Sequence, residues 1–196
     1  MKYLYNLKPT VYTLAAQLAF CFCLRIGELR ALKWEDYDEE NSTIFIWHEI
    51  VEQSRDGKNR VAVDVSHTKT NTAEGRRLLF VSDEAKKVLR RLRELNGDKE
   101  YILNSSGKMP ITTNHFNEHL RQYCAECGVR YLSSHKIRFY GATELYDAGV
   151  DPEQIRRVMG HTTLAMTEHY NRTNGKIIVD KEIWNKIFGS KKPDGD

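Results

Sequence analysis

Arg25 in "LRIGEL", Lys69 in "HTKT", His135 and Arg138 in "HKIR", and His161 and Tyr170 in "GHTTLAMTEHY" are the residues whose types and spacing could do chemistry together. Singly, each has an ordinary structural reading. Arg25 can pair with Glu28, three residues on, as a buried ion pair. A lysine in a hairpin turn is usually solvated, His135 and Arg138 at i and i+3 share one helix face, and Tyr170 suits a core. The set reads differently. Two arginines, a lysine, two histidines and a tyrosine contain no carboxylate pair for a metal and no serine nucleophile. They suit the stabilisation of an anionic phosphoryl transition state while an oxygen nucleophile attacks. The planar guanidinium fork holds two phosphate oxygens at once, which a lysine does poorly. Phosphoryl transfer depends mostly on positioning and charge stabilisation, so cationic donors can stand in for a metal ion. A free tyrosine has a pKa near 10 and is ionised to roughly one part in a thousand at neutral pH. Tyr170 as nucleophile therefore needs a base or cations beside it.

The order and local sequence of these motifs resemble the tyrosine recombinase family, the integrases of phages and conjugative elements. That family places an arginine in a "GLR-I-x-E-L" turn, a lysine in a β-hairpin, then H-x-x-R, then "LGH" with a tyrosine following. The resemblance runs from about Val11 to Tyr170. It implies the DNA breaking-rejoining enzyme fold and a site-specific recombinase that cuts and rejoins strands through a 3′-phosphotyrosyl intermediate, with no metal, cofactor or ATP. In that scheme Tyr170 attacks the phosphorus, and Arg25, Arg138 and His161 hold the non-bridging oxygens. Lys69 protonates the leaving 5′-oxygen, and His135 serves as base or proton shuttle. The partners implied are double-stranded DNA, further copies of the chain in a tetrameric synapse joined through the C-terminal tail, and accessory DNA-bending proteins. The resemblance also implies upstream DNA-clamping domains, so residues 1–10 read as a linker remnant.

The chain departs from the family pattern at three places. Phe22-Cys23 stands where Thr-Gly is usual, which reshapes the turn before Arg25. Phe139-Tyr140 replaces His-Thr, placing a second tyrosine near the site that we read as core packing. Met159 replaces a leucine, a volume-conserving change. His169 is a rival base, although neighbours on a helix point apart. Two other readings stay open on sequence alone: a type IB topoisomerase that relaxes supercoils with similar residues, and a DNA-binding domain without catalysis.

The elements that must position these residues can be read from pattern. Residues 11–23 form a nearly all-apolar helix and "RIGELRAL" continues or restarts it. "STIFIWHEIVE", "NRVAVDVSHTKT" and "RRLLFV" are rich in β-branched and aromatic residues. With the polar "QSRDGK" and "NTAEG" between them, they predict one three-stranded antiparallel sheet of successive hairpins. Ser82 caps an amphipathic helix with Val88, Leu89 and Leu92 on its apolar stripe. "TTNHFNEHLRQYCAECG" and "SHKIRFYGATELYDAG" predict helices closed by Gly128 and Gly149, and the first of these, around Thr113 to Arg121, is the candidate for base readout. "DPEQIRRVMG" carries Asp151 as cap, Pro152 at the first helical position, Gln154 for a capping box and Gly160 past the end. The fold class is therefore α+β, mainly α, with a small sheet inserted near the N-terminus.

Composition agrees with this reading. With 196 residues, 40% hydrophobic and 29% charged, the chain is long enough for one globular core. A net charge of +3 permits nucleic-acid binding without establishing it. The longest apolar run, "TLAAQLAFCFCLRIGEL", is broken at Gln17 and Arg25. It lacks a signal-peptide pattern, so a cytoplasmic, nucleoid-associated bacterial protein is expected. Cys21, Cys23 and at least one of Cys124 and Cys127 read as buried thiols, because "CAEC" has no second pair to complete a zinc site. Residues 11–172 are expected to form the catalytic domain and 173–189 an amphipathic tail helix, with Ile177, Ile178, Trp184, Ile187 and Phe188 on one face. That tail folds back on its own domain or docks on a neighbour, and residues 190–196 are expected to be disordered.

Overall fold

The computed structural model describes residues 2–54, 60–66, 75–97, 99–105, 108–160 and 181–189. Eight helices among these residues are α1 (Lys2–Asn6), α2 (Val11–Phe22), α3 (Ile26–Ala31), α4 (Asp83–Asn96), α5 (Thr113–Glu126), α6 (Ser134–Asp147), α7 (Pro152–Met159) and α8 (Lys181–Phe188). The strands are β1 (Tyr37–Asp38), β2 (Thr43–Ile46), β3 (Glu49–Ser54), β4 (Arg60–Val65) and β5 (Arg77–Phe80). The mainly helical class with a small antiparallel component holds.

Helix α2 is the axis of the core. Thr10 and Thr13 exchange side-chain-to-backbone hydrogen bonds as a capping box at its start, satisfying amides that have no partner within the helix. Leu14, Ala15, Leu18 and Cys21 have no exposure at all, as expected of a helix apolar on every side. It packs against α4, α5 and α6, with α1 and α8 also against it. On α1, Leu4 is buried and its carbonyl accepts from Gln17 Nε2 at 3.0 Å. The tail helix α8 lies on this same core, with Trp184 and Phe188 buried. Helix α8, the described part of the tail, thus packs on its own domain within this chain.

The strands differ from the expected sheet. The run "STIFIWHEIVE" divides at Trp47-His48, so its two halves serve different sheets. Its first half, β2, lies between β1 and β5 in a three-stranded antiparallel sheet, with Thr43 opposite Phe80 and Ile46 opposite Arg77. The second half, β3, forms a separate hairpin with β4, with Glu49 opposite Val65. The successive pairing of β4 with β5 is thus replaced by β2 with β5. The division has side-chain anchors: Trp47 Nε1 donates to Asp36 Oδ1 at 2.6 Å, and His48 Nδ1 lies 2.9 Å from Asp64 Oδ1. Ile44, Ile46 and Leu79 join the main core, while Ile50 packs with Ala31 and Tyr101 in a smaller cluster.

Cysteines 21, 23 and 124 are buried free thiols, as expected, and Cys127 is exposed. No helix among the described residues is long and apolar enough to cross a membrane.

Candidate active site

The path to the site begins where α2 ends. Cys23 takes the left-handed conformation, φ 50° and ψ 34°, and its N–H donates to Ala19 O at 3.0 Å. A glycine adopts that conformation without cost; a cysteine needs compensation. Gly141 on α6 supplies the space, since a Cβ there would lie 2.1 Å from Cys23 Sγ. A glycine, the residue usual here in the family pattern, would take this φ without strain. After Leu24 the chain restarts as α3 with Arg25 at its N-cap.

Arg25 and Arg138 meet at a common carboxylate, Glu28. Arg25 donates from Nη1 to Glu28 Oε1 at 2.9 Å, and its backbone N–H to Oε2 at 3.0 Å. Arg138, on α6, places Nη1 3.9 Å from Oε2. A third guanidinium, not singled out in the sequence, completes the group. Arg77, the first residue of β5, donates to both Glu28 oxygens, at 3.1 and 2.8 Å. Its side chain is 1% exposed and that of Glu28 not at all. Burial alone would raise the Glu28 pKa, but Arg77, then Arg138 and Arg25, outweigh it and hold the carboxyl down to about 2. Burial pushes Arg138 down to about 9, with Glu28 opposing and the other arginines adding to the shift, so it stays charged at neutral pH.

The same three arginines close the end of α7. Arg77 Nε donates to Val158 O at 2.7 Å, Arg138 Nη2 to Met159 O, and Arg25 Nη2 to Gly160 O at 2.7 Å. Three consecutive carbonyls at a helix C-terminus, which lack partners within the helix and carry its negative dipole end, are met by three cations. At the other end, Asp151 Oδ1 accepts from the amides of Glu153 and Gln154. Gly160 turns left-handed at φ 61°, and a Cβ on it would lie 2.8 Å from Arg77 Nη1. The end of the helix, Gly160, is therefore fixed against the arginine cluster. The next residue in the sequence is His161.

The structure brings Arg25 and Arg138 together and adds Arg77 and Glu28. His135 sits in the first turn of α6, one turn before Arg138, and is exposed. Lys69, His161 and Tyr170 lie outside the described residues; β4 ends four positions before Lys69. Tyr140, read from sequence as core, is 49% exposed and makes an edge contact with Phe20 at 6.4 Å between centroids. Burial and a hydrogen bond to Glu144 raise its phenol pKa, which makes it a poorer nucleophile. Arg77 did leave a signal. In "RRLLFV" it alternates with the buried Leu79 and Val81, and a charge on the inward face of a strand requires a buried partner.

Comparison with known proteins places the chain in a family. The sequence profile of the phage integrase family matches residues 1–176. Tyrosine recombinase XerC of Roseiflexus sp. (strain RS-1) is 30% identical over 159 residues, covering 81% of this chain and 46% of that protein. The transposase of transposon Tn916 from Enterococcus faecalis is 24% identical over 162 residues, covering 75% of this chain and 38% of its own. This chain thus spans less than half the length of these two relatives. Among solved structures, the Tn1549 transposon integrase in complex with circular intermediate DNA superposes with a TM-score of 0.67 at 20% identity, over 86% of this chain and 59% of that one. The XerA recombinase gives 0.56 at 19% identity, over 91% and 55%. On the match across nearly its whole length, together with this shared architecture, the chain belongs to the phage integrase family.

Proposed function

We propose that this chain is the catalytic domain of a site-specific DNA recombinase, one that cleaves and rejoins strands through a 3′-phosphotyrosyl intermediate on Tyr170. The observation that carries the reading is the convergence of Arg25, Arg77 and Arg138 on one buried carboxylate at the end of α7. Three guanidiniums and one carboxylate leave two net positive charges at the place from which "HTTLAMTEHY" departs. Arg25 is the accessible member, with 28% of its side chain exposed, and is assigned to the first non-bridging oxygen of the scissile phosphate. Arg138 takes the second and His161 donates to the same group. Lys69 delivers a proton to the leaving 5′-oxygen, and His135 acts as base or shuttle for Tyr170. Arg77 is a positioning residue, holding Glu28 and the carbonyl of Val158.

The kinship with a tyrosine recombinase and a transposase, and the DNA bound to the Tn1549 integrase, support double-stranded DNA as substrate. To the same proposal belong assembly of several copies on DNA through tail residues 173–189, participation of DNA-bending proteins, and a cytoplasmic, nucleoid-associated location. So do the divisions into a linker (1–10), a catalytic domain (11–172), the tail helix and a disordered end (190–196). In α5, residues Thr113 to Arg121 are the candidates for groove contact.

A nicked suicide duplex, which traps the covalent product, tests the reading. Wild type should form a protein–DNA adduct without added metal or ATP, and Tyr170→Phe should bind the duplex and form none. Replacing Arg25 should slow adduct formation by about 10²–10³-fold, the usual effect of deleting one transition-state donor. Equal adduct formation by Tyr170→Phe would refute the nucleophile. Relaxation of supercoils without exchange between paired sites would move the activity to the topoisomerase class.

A further inference from the structure

Outside the arginine cluster, the segment between α3 and β3 holds a second group of polar side chains that the recombinase chemistry does not use. A 3-10 turn over Trp34–Asp36 leaves α3 and carries Glu35 and Asp36. His48 stands just before β3 and is only 8% exposed. One ring nitrogen of His48 and one carboxylate oxygen from each of Glu35 and Asp36 lie within 4.8 Å of one another.

The His48 ring is held by a carboxylate. Its Nδ1 lies 2.9 Å from Asp64 Oδ1, while Asp64 Oδ2 accepts from Tyr101 Oη at 2.8 Å and from Lys33 Nζ at 3.0 Å. An ionised carboxylate at Nδ1 places the ring proton there and leaves the lone pair on Nε2. Yet Nε2 is fully buried and has no hydrogen-bond partner among the described residues. A buried nitrogen lone pair without a partner costs about 1–3 kcal/mol. Asp36 is oriented in a similar way, by Trp47 Nε1 at 2.6 Å. A histidine fixed by a carboxylate through one nitrogen, its other nitrogen unpartnered and two further carboxylates near the ring, is the pattern in which second-shell partners aim metal ligands.

We propose that Glu35, Asp36 and His48 bind one divalent transition-metal ion of the zinc class, with Asp64 and Trp47 orienting the ligands. Two carboxylates balance the ion's charge, and one imidazole with two oxygens suits zinc better than magnesium or calcium, which prefer all-oxygen shells. Tetrahedral bonds of about 2.0–2.2 Å put ligand atoms about 3.4 Å apart, so no gap has to close by more than about 1.4 Å. Glu35 is exposed and can swing to close it, with water as the fourth ligand. The ion acts as a clasp. It ties the turn leaving α3, which bears Glu28, to the base of the β3–β4 hairpin, whose chain continues toward Lys69. This role is structural and independent of the proposed DNA chemistry.

The test uses the full chain stripped of metal by chelator and dialysis. Zinc is titrated by calorimetry, and cobalt(II) is followed by its visible absorption. Wild type should take up one equivalent, with cobalt bands of a nitrogen–oxygen site and a melting temperature that rises on zinc addition. Glu35→Ala removes an exposed side chain and should leave the metal-free melting temperature unchanged while abolishing the zinc-induced rise. Asp64→Asn should weaken binding by about 10–100-fold, as loss of a second-shell partner does. A sulfur-to-cobalt charge-transfer band would place the ion on a cysteine thiolate and overturn the proposal. So would the absence of stoichiometric uptake, or uptake indifferent to Glu35→Ala.

Discussion

Arg77→Met removes the guanidinium that grips both oxygens of Glu28 and leaves an apolar side chain of comparable length. Two charge-assisted hydrogen bonds of 2.8 and 3.1 Å are lost, together with the 2.7 Å bond to the carbonyl of Val158. Both partners are essentially without solvent exposure, so water does not repair the loss. Removing one member of a buried ion pair costs about 3–5 kcal/mol, because the other charge stays behind unpaired. The depression of the Glu28 carboxyl from 4.5 to about 2 gives an independent scale, on the order of 3 kcal/mol for the net hold of its surroundings on the carboxylate. At about 2–4 °C per kcal/mol for a domain of this size, the melting temperature should fall by roughly 6–20 °C at pH 7. Urea denaturation of wild type, Arg77→Met, Glu28→Gln and the double variant supplies the cycle. The double variant should be less destabilised than the sum of the singles by more than about 0.5 kcal/mol, since a neutral amide in place of the carboxylate leaves no orphaned anion. A loss under about 1 kcal/mol for Arg77→Met, or additivity in the cycle, would refute the view that Glu28 and Arg77 form the site's foundation.

Acid should weaken the fold through the same carboxyl. Its folded pKa lies below the ordinary value, so its contribution is complete above about 4.5 and is lost as pH falls toward about 2; urea midpoints across that window should drop in wild type and flatten in Glu28→Gln. Gly141→Ala forces a Cβ to within 2.1 Å of Cys23 Sγ and should cost about 1–3 kcal/mol. Adding Cys23→Gly, which clears the space and suits the left-handed φ of 50°, should restore most of the loss, and a double variant no better than Gly141→Ala would disprove the close approach. Trp184→Ala, at a side chain 1% exposed on its own domain, should cost about 3–5 kcal/mol in urea, independent of protein concentration. A concentration-dependent loss would mean that the tail's seat is on a neighbouring copy.

The elements legible in the sequence are those whose signals are local. Ser82 caps α4 through the Ala85 amide, and Asp151 and Gly160 bound α7 as the pattern required. The same holds for α2, whose run of apolar residues ends at the cysteine that turns left-handed. Strand pairing was less legible because the eleven residues of "STIFIWHEIVE" carry β propensity throughout, while the break at Trp47-His48 is fixed by Asp36 and Asp64, the latter 16 residues away. Hairpin loops predict neighbours in sequence; β5 instead returns to β2 because Ile44, Ile46 and Leu79 close one core. Within the site, Arg25 and Arg138 were found through their motifs. Arg77 was not, since its partner Glu28 stands 49 residues upstream and no local spacing links them. Glu35, Asp36 and His48 escaped for a similar reason: two acids in a charged run look solvated until the fold buries a histidine against them.

A carboxylate at the heart of an anion site invites the objection that it repels the substrate. The geometry answers it. Without Glu28, three guanidiniums of which two are almost fully buried would repel one another and lose their hydration, and Arg138 already feels that pressure in a pKa near 9. With it, the three are held in fixed directions and two net positive charges remain. On the proposed reading, that excess faces a phosphodiester with one negative charge in the ground state and two in the pentacoordinate transition state, so the attraction grows as the reaction proceeds, the condition for lowering a barrier. One donor of Arg138 and one of Arg25 are meanwhile kept on the neutral carbonyls of residues 159 and 160. A charged phosphate oxygen accepts about twice as strongly as such a carbonyl, so on the proposed reading a phosphate would displace them from a cluster already assembled. On the same reading Arg25, with 28% of its side chain exposed against 5% for Arg138, is the first of the two that a phosphate would meet.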